Sequence, residues 1–236
     1  MEPFLFESAT LPCGLKVLWQ HDDRVNYVEL DLSVWVGHFD NPEGLEGMVH
    51  LFEHVPFRGT RNFPTNDELA GPVEAIGGSI GAFTRLDYTQ YYVRVPAQEL
   101  NIGMARIIDL VFSARLGTKD YQDEYEVILS EMAEAENNFP STDWVNMFKQ
   151  IHGGGWERRS WGLGWPDTIR NITANHLHQF RDEYYRPDNM QLVIGGNLSA
   201  CKPSVVDLVS SWFNGWPPCQ PRDRIIRPQQ PTGLPV

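Results

Sequence analysis

From residue 26 to 37 the chain reads NYVELDLSVWVG, with Val28, Leu30, Leu32, Val34 and Val36 at every second position. That period of two predicts a strand with one buried face. LKVLWQ (15–20) and MQLVIGG (190–196) read as further strands. SIGAFTRLDYTQYYVRVP (79–96) reads as a strand, a short turn near Leu86-Asp87 and a second strand rich in β-branched and aromatic residues. Elsewhere the apolar residues fall at helical spacing. They predict helices at 97–115, at about 119–138, over TANHLHQFRDEYY (173–185) and from Pro203 through PSVVDLVSSWFNG. In PTNDELAGPVEAIGG, Thr65 or Asn66 can cap a helix that Gly77-Gly78 ends. A helical segment also covers the residues before Arg58, and HGGGWERRSWGLGWP (152–166) reads as a loop. Strands that come in pairs with helices between them predict an α+β domain with a mostly antiparallel sheet packed against helices. The domain spans residues 1–216, and the proline-rich 217–236 reads as a linker or tail.

The chain has 236 residues, enough for one large domain, and a formal net charge of −12, with 31 Asp and Glu against 19 Lys and Arg. Phosphate recognition needs clustered positive charge, so a nucleic-acid partner is excluded from the expectations. Cys13, Cys201 and Cys219 are odd in number and far apart, which fits reduced thiols better than a disulfide framework. The acidic N-terminal MEPFLFESAT lacks the pattern of a signal peptide, and no stretch approaches the length of a membrane span. The expectation is a cytoplasmic protein with no membrane partner.

Candidate chemistry concentrates in GLEGMVHLFEHVPFRGT (44–60). His50 and His54 are four apart and face one side of a helix, with Glu53 beside them. The order His-x-x-Glu-His inverts the commoner His-Glu-x-x-His helix of zinc peptidases. A catalytic zinc takes three protein ligands, so a third belongs downstream. DEYEVILSEMAEAE offers Glu124 and Glu131, two helical turns apart, with Val127, Ile128 and Met132 expected to pack elsewhere. Taken singly, these residues also fit an ordinary polar helix and a solvated acidic face. Pro56 lacks the N–H that would bond the carbonyl of Phe52, so the helix is expected to end within a turn of His54.

Taken together, TLPCGLKVLWQ, SVWVGHFDNPEG, GMVHLFEHVPFRGT, AIGGSIGAFTRLDYTQYYVRVP and FRDEYYRPDNMQLVIGGNLS resemble the pitrilysin/insulinase family of zinc metallopeptidases, which includes the mitochondrial processing peptidase. The resemblance covers roughly residues 9–215, and Glu131 stands 77 positions after His54, a spacing that fits the family. It implies a mitochondrial processing peptidase-like fold, Zn2+ held by His50, His54 and Glu131, Glu53 as general base, and Glu124 orienting a ligating histidine from behind. It also implies that Ser79, Gly81, Ala82, Phe83 and Thr84 form a sheet edge onto which a peptide substrate adds as a strand. The family usually has asparagine at the place of Gly81.

The implied activity is a zinc endopeptidase acting on peptides or unfolded segments. Zinc acidifies a water and polarises the scissile carbonyl, while Glu53 takes the water's proton. Family members carry a second, similar domain that closes over the first, so a second domain or a homo- or heterodimeric partner is expected. The competing expectations are a noncatalytic subunit and a peptide-binding maturation factor of the same family.

Overall fold

The structure, a computed structural model, describes residues 6–137, 147, 161–199, 201–202 and 204–218. One six-stranded sheet organises them, in the order β1-β2-β6-β3-β5-β4. The strands are β1 (Glu7–Thr10), β2 (Lys16–His21), β3 (Tyr27–Val34), β4 (Ser79–Thr84), β5 (Thr89–Pro96) and β6 (Met190–Gly196). All neighbours pair antiparallel except β2 and β6, which run parallel. The expected α+β class and mostly antiparallel sheet are therefore present.

Alternation along β3 places Val28, Leu30, Leu32 and Val34 on one face, all fully buried. Register carries that face across the sheet: Leu32 lies opposite Tyr91 on β5 and Leu192 on β6, and Leu30 opposite Val93 and Ile194. The helices pack on this side. They are α1 (Met48–His54), α2 (Asn66–Ala75), α3 (Leu100–Phe112), α4 (Thr118–Glu136), α5 (Pro166–Arg170), α6 (Ala174–Tyr184) and α7 (Val205–Trp212). On the opposite face Glu29, Asp31, Ser33, Gln90 and Tyr92 stay half-exposed.

Sequence patterning found the long elements and missed three features. β1 is short, and only Ala9 of its residues is partly shielded, so it carries no apolar alternation. The parallel β2–β6 pair joins segments far apart in the chain, which no local pattern reveals. Helix α5 has five residues, starts at Pro166 and lies at the end of the stretch expected to be a loop. Of that Gly- and Trp-rich stretch, residues 152–160 lie outside the described residues, as do 219–236 of the expected tail and the last residue of the helix expected to reach 138.

The start of α2 follows the expected chemistry, whereas the last helix, expected from Pro203, begins at Val205 behind Ser204. Thr65 caps α2 by accepting from the Glu68 N–H, and Ser204 caps α7 by accepting from Asp207. Helix α1 starts differently. Its cap residue Gly47 has φ 95°, and the first turn is served from a distance: the side-chain Oδ1 of the buried Asn41 accepts from the Val49 N–H at 3.1 Å. Gly47 also sits against residues 163–169. A Cβ there would lie 2.5 Å from Ile169 Cδ1 and 2.8 Å from the Leu163 carbonyl oxygen, while Thr168 donates to the Glu46 carbonyl at 2.7 Å. The described part of the aromatic loop thus packs on its own domain, over the start of α1.

Gly47→Ala combines an unfavourable positive φ with this overlap. A loss of about 2–4 kcal/mol in unfolding free energy is expected, read as a lower urea midpoint with unchanged slope.

Candidate metal centre

Helix α1 buries Val49, Leu51 and Phe52 and turns His50, Glu53 and His54 toward α4 and the end of β4. Phe52 anchors it, with ring centroids 4.4 Å from Tyr185 and 5.2 Å from Phe180. After His54 the backbone tightens into a 3-10 turn, Val55–Arg58, with Pro56 in its first residues. The missing N–H of Pro56 therefore falls where the α-helix has already ended, as the sequence predicted. The Phe57-Arg58-Gly59-Thr60 segment is then fixed on both sides. Gly59 has φ 141° and leaves no room for a Cβ, which would lie 2.2 Å from the Pro64 carbonyl oxygen. Thr60 is fully buried and donates to Asp109 on α3.

Helix α4 brings the acids. Tyr121, Glu124, Ile128 and Met132 are buried at helical spacing, and Glu131 shares their side with its side chain 39% exposed. Against expectation, Ile128 and Met132 pack on the same side as the two acids, and Val127 is among the exposed hydrophobic residues.

His50, His54 and Glu131 each present a donor atom, and the three atoms lie within 4.8 Å of one another. The two Nε2 atoms are 3.1 Å apart, and each is 3.8 Å from Glu131 Oε2. Ligands about 2.0–2.1 Å from a tetrahedral zinc lie roughly 3.3 Å from one another, so the spacing suits such an ion. The tautomers fit as well. Glu124 Oε2 accepts from His54 Nδ1 at 3.1 Å, which leaves the Nε2 lone pair aimed at the other donors. Burial, then the neighbouring His54 and His38, push the His50 pKa down to about 3, so its ring is neutral and able to ligate. Among the described residues, the buried Nδ1 of His50 has no hydrogen-bond partner.

The remaining groups are tuned by the same low-dielectric surroundings. For His54, burial works downward, but the Glu124 bond and the carboxylates of Glu131 and Glu53 outweigh it and raise the pKa. Burial raises the carboxyl of Glu53, against the opposing Thr84 hydroxyl and His54. Burial would also raise Glu124, but the bond from His54 and the Arg58 guanidinium overcome it, and the net shift is downward. Thr84 Oγ1 donates to Glu53 Oε2 at 2.5 Å. Beside these groups lies an open cleft of about 300 Å³ lined by Glu53, His54, Phe57, Arg58, Asn66, Ala82 and Glu124.

The strand Ser79–Thr84 is β4, at the outer edge of the sheet, with no strand partner on its far side among the described residues. Ala82 and Thr84 share the face that carries Tyr91 and Thr89, whereas Ser79, Gly81 and Phe83 point to the other face. Thr84 is thus committed to Glu53 through its side chain, and Phe83 reaches away toward Tyr88 and Arg85. Residues that sequence reasoning missed are Asn41, His38 and Arg58. Asn41 holds the start of α1. Burial pushes His38 down to about 4, and it stands near enough to His50 to lower it too. Arg58 donates through Nε to Glu124.

Against known proteins, residues 16–158 match the sequence model of the family described as Insulinase (Peptidase family M16), and residues 171–236 match one described as Peptidase M16 inactive domain. A protein of Rickettsia bellii named an uncharacterized zinc protease is 32% identical over 197 residues, covering 82% of this chain and 46% of that protein. A solved protease from Helicobacter pylori superposes with a TM-score of 0.82 at 23% identity, over 96% of this chain and 53% of that one. Pitrilysin superposes with a TM-score of 0.73 at 24% identity, over 82% of this chain and 21% of its own. The chain spans about half the length of the curated relatives it matches.

Glu131→Gln removes an anionic ligand atom, whereas Glu124→Gln removes the negative charge behind His54 and keeps one amide oxygen that can accept from it. Chelator competition is expected to show the larger loss of zinc affinity for Glu131→Gln, and a loss of about 10–100-fold for Glu124→Gln. Added zinc should raise the thermal midpoint of the unaltered chain and leave that of Glu131→Gln nearly unmoved.

Proposed function

The chain belongs to the insulinase family, peptidase family M16, and on that premise we propose that it is the metal-binding half of a zinc-dependent endopeptidase acting on peptides or unfolded segments. The observation that carries the reading is the convergence of His50, His54 and Glu131 on one point, with the buried carboxylate of Glu53 beside it. The roles assigned are zinc ligands for these three, general base for Glu53 and orienting carboxylate for Glu124. Bound there, zinc supplies Lewis-acid polarisation of the scissile carbonyl and makes a water acidic enough to deprotonate near neutral pH.

The protein's own groups do the rest. Thr84 holds the carboxylate of Glu53 in place, and that carboxylate is assigned to take a proton from the attacking water and return it to the leaving amine. A carboxyl whose affinity for protons is raised by burial is suited to that double task. Glu124 keeps the His54 ring in one orientation. An extended peptide pairing with the free edge of β4 would run beside Ala82 and Thr84, with binding directed by backbone hydrogen bonds and tolerant of sequence. The cleft is open, and a second family-type domain, in the same protein or on a partner chain, is proposed to close over it.

The noncatalytic alternative draws on the description of the second matching family model as an inactive domain. That match begins at residue 171, after every residue of the centre. A protein that only assembled with others would have no use for a converged ligand set with a base beside it, and the catalytic reading is preferred.

Zinc near one ion per chain is expected in the unaltered protein and in Glu53→Gln. Cleavage of an unstructured peptide should need the second domain, and Glu53→Gln should slow it by about 10²–10⁴-fold. A metal-free unaltered protein would refute the site. Full activity from a monodisperse monomer of this chain would refute the need for a second half.

A further inference from the structure

We propose that Arg58 is a positioning residue of the metal centre, acting through Glu124 on the orientation of His54. The inference rests on the zinc-site reading and extends it one residue further from the ion.

Glu124 is buried, and its two oxygens are used separately. Oε2 accepts from His54 Nδ1, and Oε1 accepts from Arg58 Nε. A carboxylate held only by His54 can swing about its last torsion, because that torsion has a broad and shallow profile. The guanidinium removes the freedom. Arg58 grips α4 at two points, since its Nη2 also donates to the Asp123 carbonyl at 3.3 Å. One planar group therefore ties the side chain of residue 124 to the backbone beside it.

Arg58 is itself well placed to act as a fixed point. It closes the 3-10 turn that continues directly from α1, so it shares a rigid segment with His54. The next residues are pinned by the tight Gly59 and by Thr60 on Asp109. The Arg115 N–H also donates to the Gly59 carbonyl at 3.2 Å. The loop His54–Nδ1–Glu124–Arg58 thus starts and ends on the same short stretch of chain, with α4 clamped between. Any tilt of α4 relative to α1 would have to break one of its members.

The competing view is an ordinary half-exposed ion pair, since the Arg58 side chain is 39% exposed. Such pairs contribute little. The two views differ in what they predict for metal affinity. A surface pair leaves it alone, and a positioning residue changes it only while residue 124 can accept from both His54 and Arg58, which a glutamine with one amide oxygen and one NH2 cannot do.

The test is a double-mutant cycle on the purified chain, read as zinc affinity by chelator competition, with Arg58→Met, Glu124→Gln and both together. The expected result is a loss of about tenfold for Arg58→Met alone and less than about twofold on top of Glu124→Gln. Arg58→Lys should recover only part of the loss, because it restores a cation at Glu124 without the planar fork that also reaches the Asp123 carbonyl. In the cobalt-loaded protein, the visible ligand-field bands should change in Arg58→Met, because the His54 ring is less well held. Unaltered affinity in Arg58→Met overturns the proposal. So does an equal loss in the Glu124→Gln background, which would mark a general effect on folding. If the unaltered chain binds neither ion, the underlying site reading fails first, and that outcome is separate from a failed cycle.

Discussion

A helix of seven residues does not hold its shape alone in water, so α1 depends on what buries it. Val49, Leu51 and Phe52 are fully buried, and the rings of Tyr185 and Phe180 close on Phe52. Once that apolar side is fixed against the domain, the opposite stripe of the helix has only one direction to face. His50, Glu53 and His54 fall on that stripe because positions three and four apart share a side. The geometry of the centre is in this sense a by-product of hydrophobic burial. It also explains why a short helix suffices: the two histidines and the glutamate to which the proposed function assigns ligand and base roles span only one turn and a half.

Burying polar groups creates a second demand, because each needs a partner or loses its hydration for nothing. The domain meets it with residues from separate elements. Asn41 serves the N–H of Val49, Thr84 serves Glu53, and Glu124 serves His54. Beneath them Tyr91 and Tyr185 satisfy each other at 2.8 Å. These contacts join the turn after β3, the end of β4, helix α4 and the segment after α6 to α1. The polar network therefore records the tertiary fold, and the site cannot assemble unless the sheet and both helices have done so.

That dependence sets what could be read from the chain. Val28 to Val36 and the apolar spacing of 97–115 announce a strand and a helix because the pattern is local. The proximity of the two histidines was legible for the same reason within α1, where spacing alone aligns His50 with His54. Glu131 needed the resemblance, since nothing local says that a carboxylate 77 residues on will meet them. Arg58 and Asn41 stood inside segments that carried the resemblance, but nothing in the sequence assigned them a task. One looks like any exposed basic residue and the other like a turn residue, and both acquire their tasks only when distant segments meet. The parallel pairing of β2 with β6 was hidden in the same way, as was the exposure of Val127, a residue whose type argues for burial.

Gly81 shows how a departure from a family pattern is absorbed. It sits opposite Tyr92 in the β4–β5 register, and a Cβ at 81 would lie 2.5 Å from the Tyr92 hydroxyl oxygen and 2.7 Å from the ring carbon bearing it. The tyrosine has laid its ring over the glycine, which is how an aromatic cross-strand partner compensates for a side chain that is missing. A larger residue at 81 and this position of Tyr92 exclude each other, so the two are best regarded as one choice. The choice falls on the face away from Glu53, where Ser79 and Phe83 also point. The face toward the cleft keeps Ala82 and Thr84, and the backbone along the free edge is unaffected. What the asparagine would have added must therefore come from backbone pairing or from Tyr92 itself, while Thr84, which holds Glu53, lies on the other face of the strand from residue 81.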